Sequence, residues 1–281
     1  MIKSTPIPPN LYLGEGAFGC IYYIGVIRAL YEANIRDLTV YGNSAGALIG
    51  VFYILQMPAD EIADIFANAV TDATSEIIAN PIQITSYQLT QHHFKVFDII
   101  HKQSPDAYKK CSGRIKVGVT TENEGFQWKD TFTSQADFFN TLLCSFNIPY
   151  LCNYNAKLND VNCVDGGCGF ISSRDLPNDT LRIVLSGANE NGLNANIPLI
   201  HRIFPPPKFF WEKYLNNGYE DMKSRIETGK VKQKLRLVHE IISDEFENVL
   251  MLPNVQLLAY KLQQMPGTKM YDYSELIKRY N

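Results

Sequence analysis

The chain has 281 residues, 46% hydrophobic and 20% charged, an ordinary globular composition with enough apolar material for a sizeable core. Its net charge of −3 excludes nucleic acid as a main partner, because neutralising phosphates requires a basic face. The six cysteines form no pair of Cys-x-x-Cys units. With no secretory pattern at the start of the sequence they read as reduced and mostly buried, and the expected location is the cytoplasm or the periphery of a membrane or lipid surface. The longest apolar stretch, after Ser44, is too short to span a bilayer and reads as a buried helix, so no transmembrane segment is expected. Lys230, Lys232, Lys234 and Arg236 read as a solvated helix face.

After a lead-in over residues 1–10, Leu11–Leu13 reads as a strand and Cys20–Ala33 as a helix. Leu38–Tyr41 and Ala45–Gln56 repeat the pattern, and Ala59–Val70 follows as an amphipathic helix with Pro58 just before its start. From Thr71 to about Tyr108 the pattern blurs around a helix at His93–His101. Arg114–Thr120 and Phe126–Phe132 read as strands separated by the turn Glu122–Gly125. Ser134-Gln-Ala-Asp137 resembles a capping box that opens a helix to Phe146. Val161–Val164 and Arg182–Leu185 are further strands. Pro205–Pro207 introduces a helix to about Ile226, whose aromatic face (Phe209, Phe210, Tyr214, with Leu215) reads as core. This alternation predicts an α/β fold around a mainly parallel sheet. The expected organisation is one domain over 11–228, with a helical segment 229–281 packed on it.

Three short motifs carry chemistry. Gly42-Asn-Ser44-Ala-Gly46 lies between a strand and a helix, where a Gly-x-Ser-x-Gly turn bends sharply and lifts the serine hydroxyl clear of the backbone. Gly14-x-Gly16-x-x-Gly19 precedes the first helix, so the amides around Gly16 and Ala17 are candidates for an oxyanion hole, together with the amide that follows Ser44. The same glycine pattern is also a dinucleotide fingerprint. A dinucleotide site requires an acidic residue at the end of the second strand, and here that strand ends in Tyr41-Gly-Asn-Ser44. A base for Ser44 is needed as well. His201 and His239 are the late-chain candidates for a Ser-His-Asp triad, but neither sits in a glycine-bearing loop after a strand. Asp165 does, because it ends the strand at Val164 and is followed by Gly166 and Gly167. Such a carboxylate can act as sole general base when it contacts the hydroxyl directly.

In order and spacing, the three motifs resemble the patatin-like phospholipase family of Ser-Asp dyad lipid acyl hydrolases. Locally, Phe18-Gly-Cys-Ile-Tyr-Tyr-Ile-Gly-Val26, Tyr41–Ala47 and Cys144-Ser-Phe-Asn-Ile-Pro149 are similar to the branch that holds adipose triglyceride lipase and adiponutrin. The likeness covers about Leu11 to Ile226. Many bacterial and plant members carry Arg or Lys where this chain has Phe18. The resemblance implies a three-layer α/β/α fold, with Ser44 as nucleophile and Asp165 as base. It further implies Gly14, Gly16, Ala17 and Gly19 around the oxyanion, Gly42 and Gly46 shaping the elbow, and Gly166 and Gly167 releasing the carboxylate. It implies a carboxylic ester of a phospholipid or acylglycerol as substrate, and no metal or organic cofactor. A triacylglycerol lipase, an acyl transferase or a catalytically idle lipid-binding relative are the alternatives.

Overall fold

The computed structural model describes residues 7–79, 89–148, 152–170, 175–186, 192–229 and 271–281. The basic cluster Lys230–Arg236 and His239 lie outside them. The first half runs β1 (Asn10–Leu13), α1 (Ile21–Glu32), β2 (Thr39–Asn43), α2 (Ala45–Ile54), α3 (Ala59–Ala79), α4 (Leu89–Gln103) and α5 (Ala107–Cys111). There follow β3 (Ile115–Thr121), β4 (Gly125–Lys129), α6 (Gln135–Ser145), β5 (Lys157–Leu158), β6 (Val161–Val164), β7 (Thr180–Val184) and β8 (Gly192–Asn194). The helices α7 (Leu199–Ile203), α8 (Lys208–Thr228) and α9 (Tyr273–Tyr280) complete the described elements.

The fold is α/β, as the alternation of patterns predicts. Its central sheet has the order β5-β6-β3-β2-β1-β7-β8, with β4 also on β3. β3, β2, β1, β7 and β8 are parallel, whereas β4 and β6 are antiparallel to β3. Side chains alternate between the two faces of the strands. Leu11, Leu13, Val40, Ile115, Val117 and Val119 enter the main core. Tyr12 and Tyr41 point the other way and join Leu176, Phe170 and Trp128 in a second cluster.

Every residue of α2 except Ala45 is buried, which is the behaviour of a helix apolar on all sides and surrounded by protein. Among the described residues no helix is long and apolar enough to cross a membrane. α3 runs to Ala79, nine residues past the predicted end at Val70. The polar residues that blur the sequence pattern sit inside the helix, where Thr71, Thr74 and Ser75 donate their hydroxyls to the carbonyls of Ala67, Val70 and Thr71. At the start of α6 the predicted cap forms, with Ser134 Oγ accepting the Asp137 N–H at 3.1 Å. In α8 the predicted core face is divided: Tyr214 is buried, but Phe209 is 71% exposed. α9 packs Leu276 and Tyr280 into the main core, and Arg279 pairs with Asp98 of α4.

α1 and α8 touch backbone to backbone. A Cβ on Gly25 would lie 2.0 Å from the Leu215 carbonyl oxygen, and one on Gly218 would lie 2.0 Å from the Tyr22 carbonyl oxygen. The buried Tyr22 hydroxyl donates to Asp221 Oδ2 at 2.8 Å across the same contact. Burial, reinforced by Asp221, pushes the Tyr22 phenol well up, so this donor keeps its proton. Gly25→Ala and Gly218→Ala should therefore each destabilise the protein by about 1–3 kcal/mol through overpacking. That is opposite in sign to the roughly 1 kcal/mol that alanine gains over glycine by helix propensity alone. The double variant should cost less than the sum, because one outward shift of α8 relieves both clashes. Urea unfolding measures all three, and stabilised single variants would show that the helices separate freely.

Candidate active site

β3 has two edges. β4 occupies one of them from Val117 to Thr121. β2, paired to Ile115–Gly118, and β6, paired to Thr120 and Thr121, must therefore share the other edge. They run toward each other along it. β2 ends at Asn43 opposite Gly118, and β6 ends at Val164 opposite Thr120. Only the level of Val119 separates the two ends, and Ser44 and Asp165 are the next residues on either side. The structure thus brings the two residues to one place from opposite directions, 3% and 0% exposed respectively.

Ser44 has φ 51° and ψ −131°, a left-handed conformation costly for a side-chain-bearing residue and concentrated at functional turns. It precedes α2 as N-cap, a position where serine normally bonds an amide of the first helical turn. Ser44 makes no such bond. Its own amide donates to Ser145 Oγ, at the end of α6, at 3.0 Å. The flanking glycines are required by proximity. A Cβ on Gly42 would fall 2.5 Å from Ala47 Cα, and one on Gly46 would fall 2.2 Å from the Leu13 carbonyl oxygen and 2.4 Å from that of Gly14. The elbow therefore rests directly on the glycine-rich turn.

Asp165 opens a short 3-10 turn, Gly166–Cys168, and its Oδ1 accepts the Gly167 N–H at 2.9 Å. Its backbone N–H donates to the Asn147 carbonyl at 3.0 Å, while Asn147 Nδ2 donates to the Cys163 carbonyl at 2.9 Å. Both the end of β6 and the carboxylate are fixed in this way. A Cβ on Gly166 would meet the Gly118 carbonyl oxygen at 2.2 Å and Ser145 Oγ at 3.3 Å. Ser145 thus adjoins both turns. It and Asn147 lie in the Cys144–Pro149 segment, but only the fold reveals what they hold.

The glycine-rich turn follows β1. Two of its three glycine amides serve the fold, since Gly14 N–H donates to Ile183 O at 3.1 Å and Gly19 N–H to Gly16 O at 2.8 Å. The amides of Gly16 and Ala17 remain, and Ala17, with φ 40°, is the residue in the left-handed region. Gly16 and Gly19 are small because Leu185 packs on them, its Cδ1 lying 2.0 and 2.6 Å from where their Cβ atoms would be. Tyr12 ties this turn to the elbow. Its hydroxyl accepts from Asn43 Nδ2 at 3.0 Å and donates to Glu15 Oε2 at 3.3 Å. Burial, then the charge of Glu15, pushes this phenol well up.

Ser44 lies in the wall of an open cleft. Ala45 and Leu48 of α2, Ile65 and Phe66 of α3, and Phe146 and Ile148 after α6 make most of it apolar. His92 and His93 of α4 are its polar exceptions and were not anticipated, because a helix within an ill-defined pattern gives no sign of what it faces. The His93 ring packs on Phe146 at 4.6 Å. Burial, helped by His92, takes the His93 pKa down to about 3, so its imidazole is neutral at ordinary pH. His201 does not line this cleft. Its Nδ1 is 2.7 Å from the Tyr214 hydroxyl, its ring packs on Phe210, and burial lowers its pKa.

The family model for patatin-like phospholipase matches residues 13–173. No curated protein matches the chain. Among solved structures, the heterodimeric ExoU–SpcU complex from the type III secretion system of Pseudomonas aeruginosa is similar over 98% of this chain and 59% of that chain, at 15% identity and a TM-score of 0.41. VipD from Legionella pneumophila is similar over 92% of this chain and 67% of its own, at 13% identity and a TM-score of 0.36. This chain therefore spans about three fifths of the first structure and two thirds of the second, and both likenesses are remote. The matched family segment covers more than half of the sequence and contains all three motifs, and on that match the chain belongs to the patatin-like phospholipase family.

Proposed function

We propose that this protein is a lipid acyl hydrolase that cleaves carboxylic esters of phospholipids or acylglycerols through a Ser44–Asp165 dyad. The observation that carries this reading is a strained, non-capping serine in the wall of an apolar cleft. Ser44 Oγ attacks the ester carbonyl carbon as its proton passes to the Asp165 carboxylate. The developing oxyanion is held by the amides of Gly16 and Ala17 and by the Ala45 amide in the first turn of α2, which has no acceptor within the helix. The tetrahedral species collapses, and the leaving alcohol takes the proton from Asp165. Water, deprotonated by Asp165, then frees the fatty acid and restores Ser44. The apolar walls exclude bulk water and receive the acyl chain. The likeness of Phe18–Val26 and Tyr41–Ala47 to the adipose triglyceride lipase and adiponutrin branch places acylglycerols beside phospholipids in any substrate panel.

Ser44→Ala should abolish hydrolysis of a short-chain chromogenic ester, by about 10⁶-fold on the scale of serine proteases, and leave the melting temperature nearly unchanged. Asp165→Asn should lose about 10⁴-fold, whereas His201→Ala should retain its turnover. Steady-state kinetics on the three variants is decisive. An active Asp165→Asn beside a dead His201→Ala would replace the dyad by a histidine mechanism.

Gly16→Ala keeps the oxyanion donor but drives a methyl group into Leu185. It should depress kcat far more than it raises KM, because the oxyanion exists only after attack. Adding Leu185→Ala should restore much of the lost kcat, which a double-mutant cycle reads as strong coupling. Independent, additive losses would show that Gly16 acts other than by the position of its turn.

A further inference from the structure

Four residues border two cavities at once. Ile65 and Ala69 of α3, with His92 and Val96 of α4, line both the cleft at Ser44 and a second, outer compartment. The two compartments are the two sides of one helix seam. Phe66 and His93 border only the inner side, whereas Asn68, Asp72, Lys95 and Ile99 border only the outer side. Spacings of three and four residues place these positions along adjoining stripes of each helix. Ala69 is the smallest of the four shared side chains and is only partly buried. At the outer rim, Lys95 Nζ lies 2.6 Å from Asp72 Oδ2, on side chains 61% and 46% exposed. An exposed pair of this kind is weak and parts readily.

Apart from Ser44, His92 and His93 the inner cleft is lined by apolar side chains; Ile65, Ala69 and Val96 continue that lining through the seam beside His92, and the outer compartment adds Ile99 together with Asn68, Asp72 and Lys95. That order fits an alkyl chain whose ester end is at Ser44. We infer that the distal part of a long acyl chain passes between α3 and α4 at Ala69 into the outer compartment, so that Ala69 sets the longest chain the protein accepts. This rests on the acyl-hydrolase reading of the Ser44 cleft. Each methylene that reaches apolar wall beyond the seam contributes up to about fourfold in kcat/KM, and a bulky side chain at residue 69 removes that gain only for chains long enough to arrive there.

The test compares wild type, Ala69→Leu and Ala69→Phe in two assays. The first is the ratio of kcat/KM for p-nitrophenyl palmitate to that for the butyrate, a ratio that cancels differences in the amount of folded enzyme. The second is displacement of cis-parinaric acid by palmitic and by octanoic acid, which requires no catalysis. The ratio should fall at least tenfold in Ala69→Phe and by an intermediate factor in Ala69→Leu, and palmitic acid should lose affinity relative to octanoic acid in the same order. Ratios within twofold of wild type in both assays would overturn the inference while leaving ester hydrolysis standing. A stepwise loss of palmitic acid binding in a protein that hydrolyses no ester would uphold the seam and sink the hydrolase reading alone.

Discussion

The two oncoming strands on one edge of β3 are the constraint from which the rest of the site follows. An ordinary sheet edge carries one neighbour at a time, but here β2 and β6 approach each other and leave a single residue level between their ends. Both chains must turn off the edge there, and the turns leave no room for a Cβ at Gly42, Gly46 or Gly166. The same crowding explains glycines from three separate segments. Gly42 and Gly46 let α2 fold back onto β2 and β1. Gly166 clears the Gly118 carbonyl, and a Cβ on Gly118 would itself strike Asn43 Oδ1 at 1.9 Å. In this region glycine is chosen for what its missing Cβ would hit.

Such crowding stores strain. Ser44 and Ala17 both adopt positive φ, conformations that cost of order 1–3 kcal/mol each and persist only where the surroundings enforce them. The enforcement is visible in buried, well-connected parts. α2 is enclosed on every side, the Ser44 amide is held by Ser145, and the glycine-rich turn is pinned between Leu185 and the Tyr12 hydroxyl. α1, which continues from that turn, is locked against α8 at Gly25 and Gly218. Ser44 and Asp165 sit on short turns, but the core positions them.

Much of this was legible in the sequence because it is local. A serine between glycines after a strand, a glycine-spaced turn before a helix, and an Asp-Gly-Gly at a strand end each announce themselves within a few residues, and the alternation of strands and helices gives the fold class. What was illegible depends on distant partners. Ser145 gains its meaning from an amide 101 residues away. His92 and His93 look like any helical histidines until α3 is laid beside them. The pattern of the three-glycine turn does not show which amides the fold uses: Gly14 extends the sheet and Gly19 closes a turn. The helix break expected near Thr71 failed for a related reason, since hydroxyl groups that resemble loop residues bond back into α3.

The central claim is that Ser44 is a nucleophile activated by Asp165. Reaction with a fluorophosphonate probe, followed by intact-mass measurement and peptide mapping, tests it without any assumption about the lipid. One adduct per chain, mapped to Ser44 and formed at least a hundredfold more slowly in Asp165→Asn, is the predicted result. A wild-type protein that stays unlabelled, or carries the adduct on another residue, would contradict it.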